Sequence, residues 1–501
     1  MSDAPLALGR LADGEWHRLH PATPLLRGGF AFVAVIGIII VNLRDVGLEI
    51  LLGSQDAGRD PFTWIIEHEF AGWVLLAILV GLLLFVVGFW VSWRMHTFRI
   101  TNEQVEVRSG ILFRTNRRGR LDRIQGINIV RPFLARLVGA AKLEINVAGQ
   151  DANVQLAYLG SGAADELRRE ILLLASGTAA GASASPNGGA GFVEQRVSEL
   201  LAPELDPTTV APESVVQMNL GRLLGSIVLS GFTVFLIAGI TVGSIVISQT
   251  GDWFFLIGVV PALIGVGSFY ITRFTRSLRY SIAGTPDGIR VGFGLLSTSN
   301  ETLPPGRIHA VHVSQPLLWR PAGWWEIKIN RAASSSAKGA AGQANTTILP
   351  VGDMPDVLKV LALLLPSSVD NTLVTAGMTS KGGDADDGFV NSPPRARIVQ
   401  WFSWRRNGFA LTPDFVLFRR GIIWRELMIV PHARLQSIEL RQGPLARALR
   451  LAEMRIHTVR GPVVPRLDAI DQARAIELFG GLADAATLAS STDTSHRWRE
   501  Q

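Results

Sequence analysis

The segment that decides the fold is 101-TNEQVEVRSGILFRTNRRGRLDRIQGINIVRPFLARLVGAAKLEI-145, because the chain contains it three times. It aligns without a gap to residues 285–329 and to residues 412–456. The positions identical in all three copies are Thr101/Thr285/Thr412, Gly110/Gly294/Gly421, Arg123/Arg307/Arg434, Leu134/Leu318/Leu445, Arg136/Arg320/Arg447 and Ile145/Ile329/Ile456. The repeat is much longer than the roughly 20–50 residues of solenoid units. Each copy is therefore predicted to be a separate small domain.

The composition indicates a protein that is part membrane and part globular. The chain has 501 residues, of which 48% are hydrophobic and 18% charged, and its mean hydropathy is +0.28. A chain of this length suggests about three domains. The absence of cysteine excludes disulfides, zinc–thiolate sites and thiol catalysis. The net charge of +6 is compatible with nucleic acid, anionic lipid or cytoplasmic loops as its cause.

Four apolar stretches predict membrane crossings arranged as two helical hairpins. They cover residues 28–43, 71–91, 223–247 and 253–271, and a spanning helix needs about 20 apolar residues. Buried helices of a soluble protein are the alternative, but they would require an unusually large apolar core. Aromatic and basic residues flank the stretches, as expected at a membrane interface. The predicted interfacial residues are Trp90, Trp93, Arg94, Trp253, Arg273 and Arg276.

The distribution of arginine predicts the orientation. Residues 44–70, between the first two stretches, contain two arginines and six acidic residues, whereas arginine is abundant after the second and fourth stretches. By the positive-inside rule, the arginine-rich side is cytoplasmic. We therefore expect a multi-pass protein of the bacterial inner membrane, with both termini and all three copies in the cytoplasm.

Within each copy, short runs of alternating apolar residues predict β-strands, and an amphipathic helix follows. The helices are expected at Ala163–Ala175, Met354–Leu365 and Ala469–Leu482, with Asp353 and Asp468 as N-caps of the last two. The identical Gly110/Gly294/Gly421 is expected to have a positive φ in a turn. The predicted fold is a bent antiparallel sheet, or partial barrel, closed by a C-terminal helix.

These boundaries divide the chain into nine segments. We expect a cytoplasmic amphipathic lead (1–27), transmembrane hairpin 1 (28–93), domain 1 (94–176), a flexible linker (177–215), transmembrane hairpin 2 (216–273), domain 2 (274–366), a flexible linker (367–396), domain 3 (397–487) and a disordered tail (488–501).

The repeated motif resembles the bacterial pleckstrin-homology-like (bPH2) domain family. The pattern is Thr-x-(Asp/Glu)-x-(Val/Ile), then Gly-(Ile/Leu)-(Leu/Ile), Arg-(Ile/Leu)-(Gln/His), and a Pro/Leu-rich turn with Leu-x-Arg. Three copies among paired spans resemble the YdbT-like, membrane-flanked members of that family. The resemblance implies PH-like domains at a membrane and a shorter family member as a partner. Copy 2 departs from the pattern by an insertion at Ala332–Thr346, and copy 3 by Arg450 in place of Gly139/Gly323.

The recurrent arginines at positions 123/307/434 and 136/320/447 are the candidate site residues, and two interpretations remain open. They either bind phosphate or carboxylate groups, or stabilise the Pro/Leu-rich turn through ion pairs or bonds to loop carbonyls. In copy 3, which lacks a hairpin, Trp401 and Trp404 stand beside arginines. This stretch is predicted either to lie against the membrane or on a neighbouring domain, or to form a buried first strand.

The search for chemistry predicts no catalytic residues, no metal site and no cofactor. His309 and His312 are three residues apart but lack a third ligand, and no phosphate-binding loop or nucleophile motif occurs. The leading hypothesis is a non-enzymatic membrane scaffold that binds protein partners and anionic lipid head groups, as a homo- or hetero-oligomer. The alternative is a component of a membrane enzyme or export complex, with a site formed between domains from groups such as Asp287, Glu326, His309 or His432. Nucleic-acid binding is not expected.

Overall fold

The structure is a computed structural model that describes most of the three repeats and part of the second hairpin. The described residues are 90–110, 114–147, 153–175, 216–250, 265–271, 273–275, 277–278, 280–285, 288–294, 298–304, 306–332, 346–365, 370–383 and 387–492, together with 11, 13–21, 23, 26, 76, 80, 87 and 88. The first linker, most of hairpin 1, the copy 2 insertion and the last nine residues lie outside the described part.

The secondary structure repeats the same order in each copy. Copy 1 contains β1 (His17–Arg18), β2 (Thr97–Ile100), β3 (Gln104–Ser109), β4 (Thr115–Arg120), β5 (Ile124–Arg131), α1 (Phe133–Leu137), β6 (Ala140–Val147), β7 (Val154–Gly160) and α2 (Ser161–Ala175). Copy 2 contains β8 (Val216–Gln217), α3 (Leu220–Val228), α4 (Gly231–Thr250), β9 (Ser281–Thr285), β10 (Gly288–Phe293), β11 (Thr298–Leu303), β12 (Ile308–Gln315), β13 (Trp325–Arg331), β14 (Thr347–Gly352) and α5 (Met354–Leu364). Copy 3 contains α6 (Asn371–Thr379), β15 (Val390–Asn391), β16 (Gly408–Leu411), β17 (Phe415–Arg420), β18 (Arg425–Pro431), β19 (Ser437–Arg441), α7 (Pro444–Ala448), β20 (Leu451–His457), β21 (Arg466–Asp471) and α8 (Gln472–Thr492).

Each copy builds its core from two antiparallel half-sheets and a C-terminal helix, as predicted from the alternating pattern. In copy 1, Phe98 of the first half-sheet, Ile127 and Leu143 of the second, and Ile171 of α2 belong to one fully buried cluster. Burying such a side chain stabilises the fold by about 1.5–3 kcal/mol. The antiparallel sheets fit PH-like domains.

The helix caps agree with the prediction in copy 2 and differ in copy 3. Asp353 accepts a bond from the backbone N–H of Asp356 at 3.1 Å, and Asp356 completes a capping box. In copy 3 the helix begins at Gln472, so Asp471 is the residue that accepts from Ala473 and Arg474, and the predicted cap Asp468 is wrong.

Successive copies share continuous sheets. The strand orders are β1-β2-β3-β4, β7-β6-β5-β11-β10-β9-β8, β14-β13-β12-β18-β17-β16-β15 and β19-β20-β21. The second half-sheet of copy 1 is thus hydrogen-bonded to the first half-sheet of copy 2, and copy 2 is joined to copy 3 in the same way. We call these two contacts the β5·β11 and β12·β18 junctions. The length of the repeat suggested that the copies are separate domains. The shared sheets instead join them to one another.

Each copy starts with a two-residue strand that is distant in sequence from its partner. His17 pairs with Phe98, Val216 with Ile282, and Val390 with Phe409, and these partners occupy equivalent positions of the repeat. The predicted hairpins 1 and 2 lie between the two strands in copies 1 and 2. In copy 3 the segment Ser392–Asn407 fills the same place.

The helices before copy 2 differ from the predicted crossing at 223–247. The helix is interrupted at residues 229–230. There Ser230 accepts a bond from the N–H of Thr233 at 3.3 Å, just before α4 begins. Within the described residues, no single helix combines the length and apolarity of a membrane span, whereas α3 and Gly231–Val246 meet that test as a pair bent by 45°. The four crossings remain a prediction.

Helix α3 packs on copy 2 itself. Arg222 donates to Asp353 and Asp356 at 2.8 Å each. Gly225 lies so close to the ring of Trp324 that a β-carbon would come within 2.4 Å of it. The start of the predicted span, residues 223–228, therefore belongs to the copy that follows it.

The second predicted linker, 367–396, is ordered around a buried arginine. Residues 371–379 form α6, and Arg419, which is 0% exposed, donates to Asp387 at 2.6 Å and to Asn391 at 2.6 Å. Burial alone would raise the pKa of Asp387, but its bond with Arg419 holds that pKa below the ordinary value. The flexible composition of this segment was misleading because polar side chains inside it satisfy a buried cation. The predicted disordered tail also differs, since α8 continues to Thr492.

The recurrent glycine has the predicted backbone conformation. Gly110, Gly294 and Gly421 have φ values of 107°, 105° and 76°, a region that other residues reach only at a cost. At Gly421 a β-carbon would lie 2.0 Å from the carbonyl oxygen of Trp424. In copy 3 this glycine allows the tight turn between β17 and β18.

We predict that Gly421→Ala destabilises copy 3 by at least about 1–2 kcal/mol, the cost of a left-handed alanine, because the clash with Trp424 adds to it. Hydrogen exchange of residues 415–431 in the full chain measures the effect. Gly443→Ala is the matched control, since Gly443 has a φ of −75° and nothing within 4 Å of a β-carbon. Equal exchange rates in both variants would contradict the assignment.

Candidate membrane face and domain edges

Two kinds of loop meet at each junction. We call the loop after the recurrent glycine the tip, and the Pro/Leu-rich segment after β5, β12 or β19 the turn. In the β12·β18 junction Gln315, which ends β12, lies opposite Arg425, which follows the tip of copy 3. In the β5·β11 junction Arg131 lies opposite Thr298 in the equivalent way. The turn of copy 2 is therefore beside the tip of copy 3, and the turn of copy 1 is beside the start of β11.

The described tips and turns expose apolar side chains. These are Phe133, Leu134 and Leu137 in the turn of copy 1, Leu317 and Leu318 in that of copy 2, Leu445 in that of copy 3, and Ile422, Ile423 and Trp424 in the tip of copy 3. Contiguous exposed apolar surface of this kind marks a site of contact with a partner or a membrane.

Gly294 and the turn of copy 2 lie at the base of the second predicted hairpin. The N–H of Gly294 donates to the carbonyl of Leu278, just after the fourth predicted crossing, at 2.8 Å. Trp324, at the end of the turn, packs against Gly225 of α3, near the start of the third. The two predicted crossings are themselves linked at their base by a 2.6 Å hydrogen bond between Thr233 and Tyr270.

In copy 3 the Ser392–Asn407 segment occupies the place of a hairpin and exposes large apolar side chains. Trp401 is 68% and Phe402 52% exposed, and Ile398 and Val399 are also exposed. Trp404, in contrast, packs against the small buried cluster around Ala396, with Arg405 over its ring at 5.4 Å. The prediction of a buried first strand here does not match the structure, since β16 begins at Gly408.

This segment and the tip of copy 3 form one surface. The N–H of Gly421 donates to Asn407 at 3.3 Å. A cavity of about 340 Å³ lies between them, lined by Gln400, Phe402, Ser403, Asn407, Arg420, Gly421, Ile422, Ile423, Trp424, Glu426, Arg466 and Asp468. We call the exposed side chains Ile398, Val399, Trp401, Phe402, Ile422, Ile423 and Trp424 the copy 3 apolar face.

The recurrent arginines contact loop carbonyls of the neighbouring copy. Arg307 of copy 2 donates to the carbonyl of Asp122 in copy 1 at 3.2 Å. Arg320 of copy 2 donates to the carbonyl of Ile423 in copy 3 at 2.9 Å. Of the two interpretations, these contacts favour bonds to loop carbonyls, but across a junction instead of within one domain.

The remaining recurrent arginines differ in exposure according to their position in the row. Arg136 and Arg434 face a neighbouring copy and are half-buried, whereas Arg123 and Arg447 lie at the outer ends and are exposed. Among the described residues, the side chains of Arg123 and Arg447 have no hydrogen-bonded or ionic partner.

The predicted interfacial residues are described in part. Trp90 is exposed and Arg94 lies over its ring at 5.2 Å. Trp93 donates to the carbonyl of Leu19 in the lead at 2.8 Å, and Arg273 is half-buried. Trp253 and Arg276 lie outside the described residues.

Of the groups proposed for an interdomain enzyme, Asp287 lies outside the described residues, whereas Glu326, His309 and His432 are described. Glu326 pairs with Lys328 at 2.7 Å, and His432 contacts the carbonyl of Pro413 at 3.0 Å. His309 lies at the β12·β18 junction, where burial and then the charges of Arg434 and Arg307 lower its pKa to about 4. Within the described residues, no group of three His, Asp or Glu side chains is placed to hold a metal ion.

We predict that His309 makes the junction acid-sensitive. The unfolded chain takes up this proton below about pH 6.5, the folded chain only below about 4, so the stability that His309 contributes is complete above pH 6.5 and lost as the pH falls from 6.5 to 4. His309→Gln should reduce the loss of protection of β12 between pH 7.5 and pH 5, where protection is the intrinsic exchange rate at each pH divided by the observed rate. His17→Gln, in the lead, is the control. An equal loss of protection in the His309→Gln variant and the parent would refute the prediction.

Comparison with known protein families agrees with the fold. The family model described as the bacterial PH domain matches residues 38–175, 224–368 and 378–486, well over half of the chain. The chain belongs to the bacterial PH domain family, which confirms the resemblance seen in the repeated motif. It is also similar to UPF0699 transmembrane protein YdbT of Bacillus subtilis (strain 168), with 22% identity over 367 residues. That match covers 67% of this chain and 66% of the relative, just under two thirds of the relative's length.

Proposed function

We propose that the protein is a membrane-associated, non-catalytic scaffold in which three PH-like copies form one platform with its tips and turns toward the bilayer. The observation that carries the proposal is the equivalence between the hairpins and Ser392–Asn407. All three insertions enter between a two-residue strand and its partner in the same register. Copy 3 then contacts the membrane through an apolar face at the place where copies 1 and 2 carry predicted crossings.

Further support comes from the chemistry of this end of the molecule. Trp401 and Trp424 are aromatic side chains of the kind enriched at membrane interfaces. Arg397 and Arg405 lie four residues before and after Trp401 in the sequence. Basic residues near an anionic leaflet contribute about 1 kcal/mol each. The relative from Bacillus subtilis is named a transmembrane protein, which supports attachment of this chain to a membrane. Attachment through the hairpins, in the cytoplasmic orientation inferred from arginine, is part of the proposal.

Binding of partners is the second part of the proposal. A continuous platform held at a membrane raises the effective concentration of whatever it binds, so individually weak contacts act together. A shorter protein of the same family, with one hairpin and one PH-like domain, is the partner that the resemblance implies.

The test uses the absence of cysteine in the chain. The full chain carrying Phe402→Cys, labelled with an environment-sensitive dye and reconstituted into liposomes, should show blue-shifted emission and quenching by spin-labelled lipids. Asp414→Cys is the matched control. Asp414 is exposed and precedes β17, whose other end leads into the tip, so it lies about 20 Å from the apolar face. Emission of the Phe402 label as in water, with no quenching, would reject membrane contact by copy 3.

A further inference from the structure

In the described residues, the row of three copies has at each end a strand whose outer edge is open. Strand β4 of copy 1 is equivalent to β11 and β18, which pair with the preceding copy. Strand β19 of copy 3 is equivalent to β5 and β12, which pair with the following copy. In the described part of the chain, neither β4 nor β19 has a neighbour on its outer side.

The exposure of the two end strands shows that their outer sides are open. Five of the six residues of β4 are exposed, whereas every residue of β11 is buried. Ile438 of β19 is partly exposed, whereas its equivalents Ile127 and Val311 are 0% exposed. Open strand edges are templates for pairing with another chain.

The two internal junctions share one register. Ile127 lies opposite Thr302 in the first junction, and its equivalent Val311 lies opposite Ile429, the equivalent of Thr302, in the second. The same register applied to the end strands sets Ile438 opposite Arg118 and Glu439 opposite Arg117. Register is thus specified by the repeat and not by any single contact.

We propose that β19 of one chain pairs with β4 of a second copy of the same chain, forming a third junction of the same kind. Charge complementarity favours this occupant, because the carboxylate of Glu439, which within its own chain contacts Arg441 and His457, then also faces the guanidinium of Arg117, which donates to the carbonyl of Asn153 at 3.4 Å. Opposite charges directly across an antiparallel pair are stabilising, and like charges are destabilising.

A second pair of side chains fits the third junction. In the β12·β18 junction Arg425 donates to Gln315 at 3.5 Å, while Gln315 itself donates to the carbonyl of Trp324 at 3.2 Å. The equivalent Gln442 donates to the equivalent carbonyl, that of Leu451, at 2.9 Å. Its amide oxygen then faces Arg114 of the second chain, which is the equivalent of Arg425.

The exposed recurrent arginine of copy 1 fits as well. Arg307 donates to the carbonyl of Asp122 across the first junction. The equivalent contact in the third junction joins Arg123 to the carbonyl of Ala433 in the other chain. This contact would give Arg123 the partner that it lacks among the described residues of a single chain.

Head-to-tail pairing of this kind is heterologous, so it produces a closed ring or an open filament. Each added chain repeats the junction geometry and keeps turns beside tips. The inference deepens the proposed scaffold function by naming a partner. Its test is independent of lipid contact, because strand pairing can fail while the Phe402 label still reports lipid.

The experiment mixes two full-length chains with different affinity tags in one membrane. One carries Arg117→Cys and the other Glu439→Cys, and mild oxidation should link the two tags through a disulfide in high yield. The control pairs Arg118→Cys with Glu439→Cys. A shift of one residue places the side chain on the opposite face of the strand, so this pair should stay unlinked.

A charge reversal provides the second measurement. Arg117→Glu should lower self-association of the detergent-solubilised chain several-fold, and adding Glu439→Arg to the same chain should restore it. The proposal is overturned if the two tags are never linked, if Arg118→Cys links as well as Arg117→Cys, if a chain with both cysteines forms only the internal disulfide, or if the reversal leaves association unchanged.

Discussion

The structure depends on strand pairing between consecutive copies. Each PH-like copy presents two open strand edges, one on each half-sheet, and an open edge leaves a row of backbone donors and acceptors without partners. In this chain β5 and β12 fill the edges of β11 and β18. The pairing also completes the core, because Ile129 and Val313 on these strands are fully buried. Three repeats joined in this way are one body, and the linkers between them need not be rigid to hold the arrangement.

Buried charges hold the elements of a copy in one arrangement. Glu301 of β11 and Arg331 at the end of β13 form an ion pair in which both side chains are buried, joining the two sheets on either side of copy 2. Arg419 is fully buried with Asp387, Asn391 and the carbonyl of Arg406 as partners. Removing one partner of such a group costs about 3–5 kcal/mol. These networks add little net stability over apolar packing, but they penalise any other arrangement of the sheets.

The sequence predicted the internal structure of a copy better than the relation between copies. Alternating apolar residues, the positive φ of Gly110 and the cap at Asp353 are local signals, and each was confirmed. Strand pairing across a junction leaves no such signal, because Val311 is apolar whichever strand lies beside it. The sequence of β11, Thr298–Leu303, is mostly polar, yet all six residues are buried in the structure, where β11 lies between β10 and β5.

The recurrent arginines show the same limit of sequence-based prediction, here for function. Their identity in three copies predicted a shared role, but a single sequence could not separate an anion site from a structural contact. The deciding fact is that Arg307 and Arg320 reach carbonyls of a different copy. A contact between copies exists only in the assembled row, so no pattern within one copy could reveal it.

The insertions and the junctions use opposite edges of the first half-sheet. Insertions enter between β1, β8 or β15 and its partner strand β2, β9 or β16, whereas the junctions pair β11 with β5 and β18 with β12. Because the two ends of an insertion meet at a fixed strand pair such as Val390–Phe409, its length is almost free to vary, since loop closure costs rise only slowly with length. Copy 3 carries Ser392–Asn407 where copies 1 and 2 carry long insertions, and its junction keeps the register of the first. The inserted segment can therefore differ between copies without disturbing the sheet that joins them.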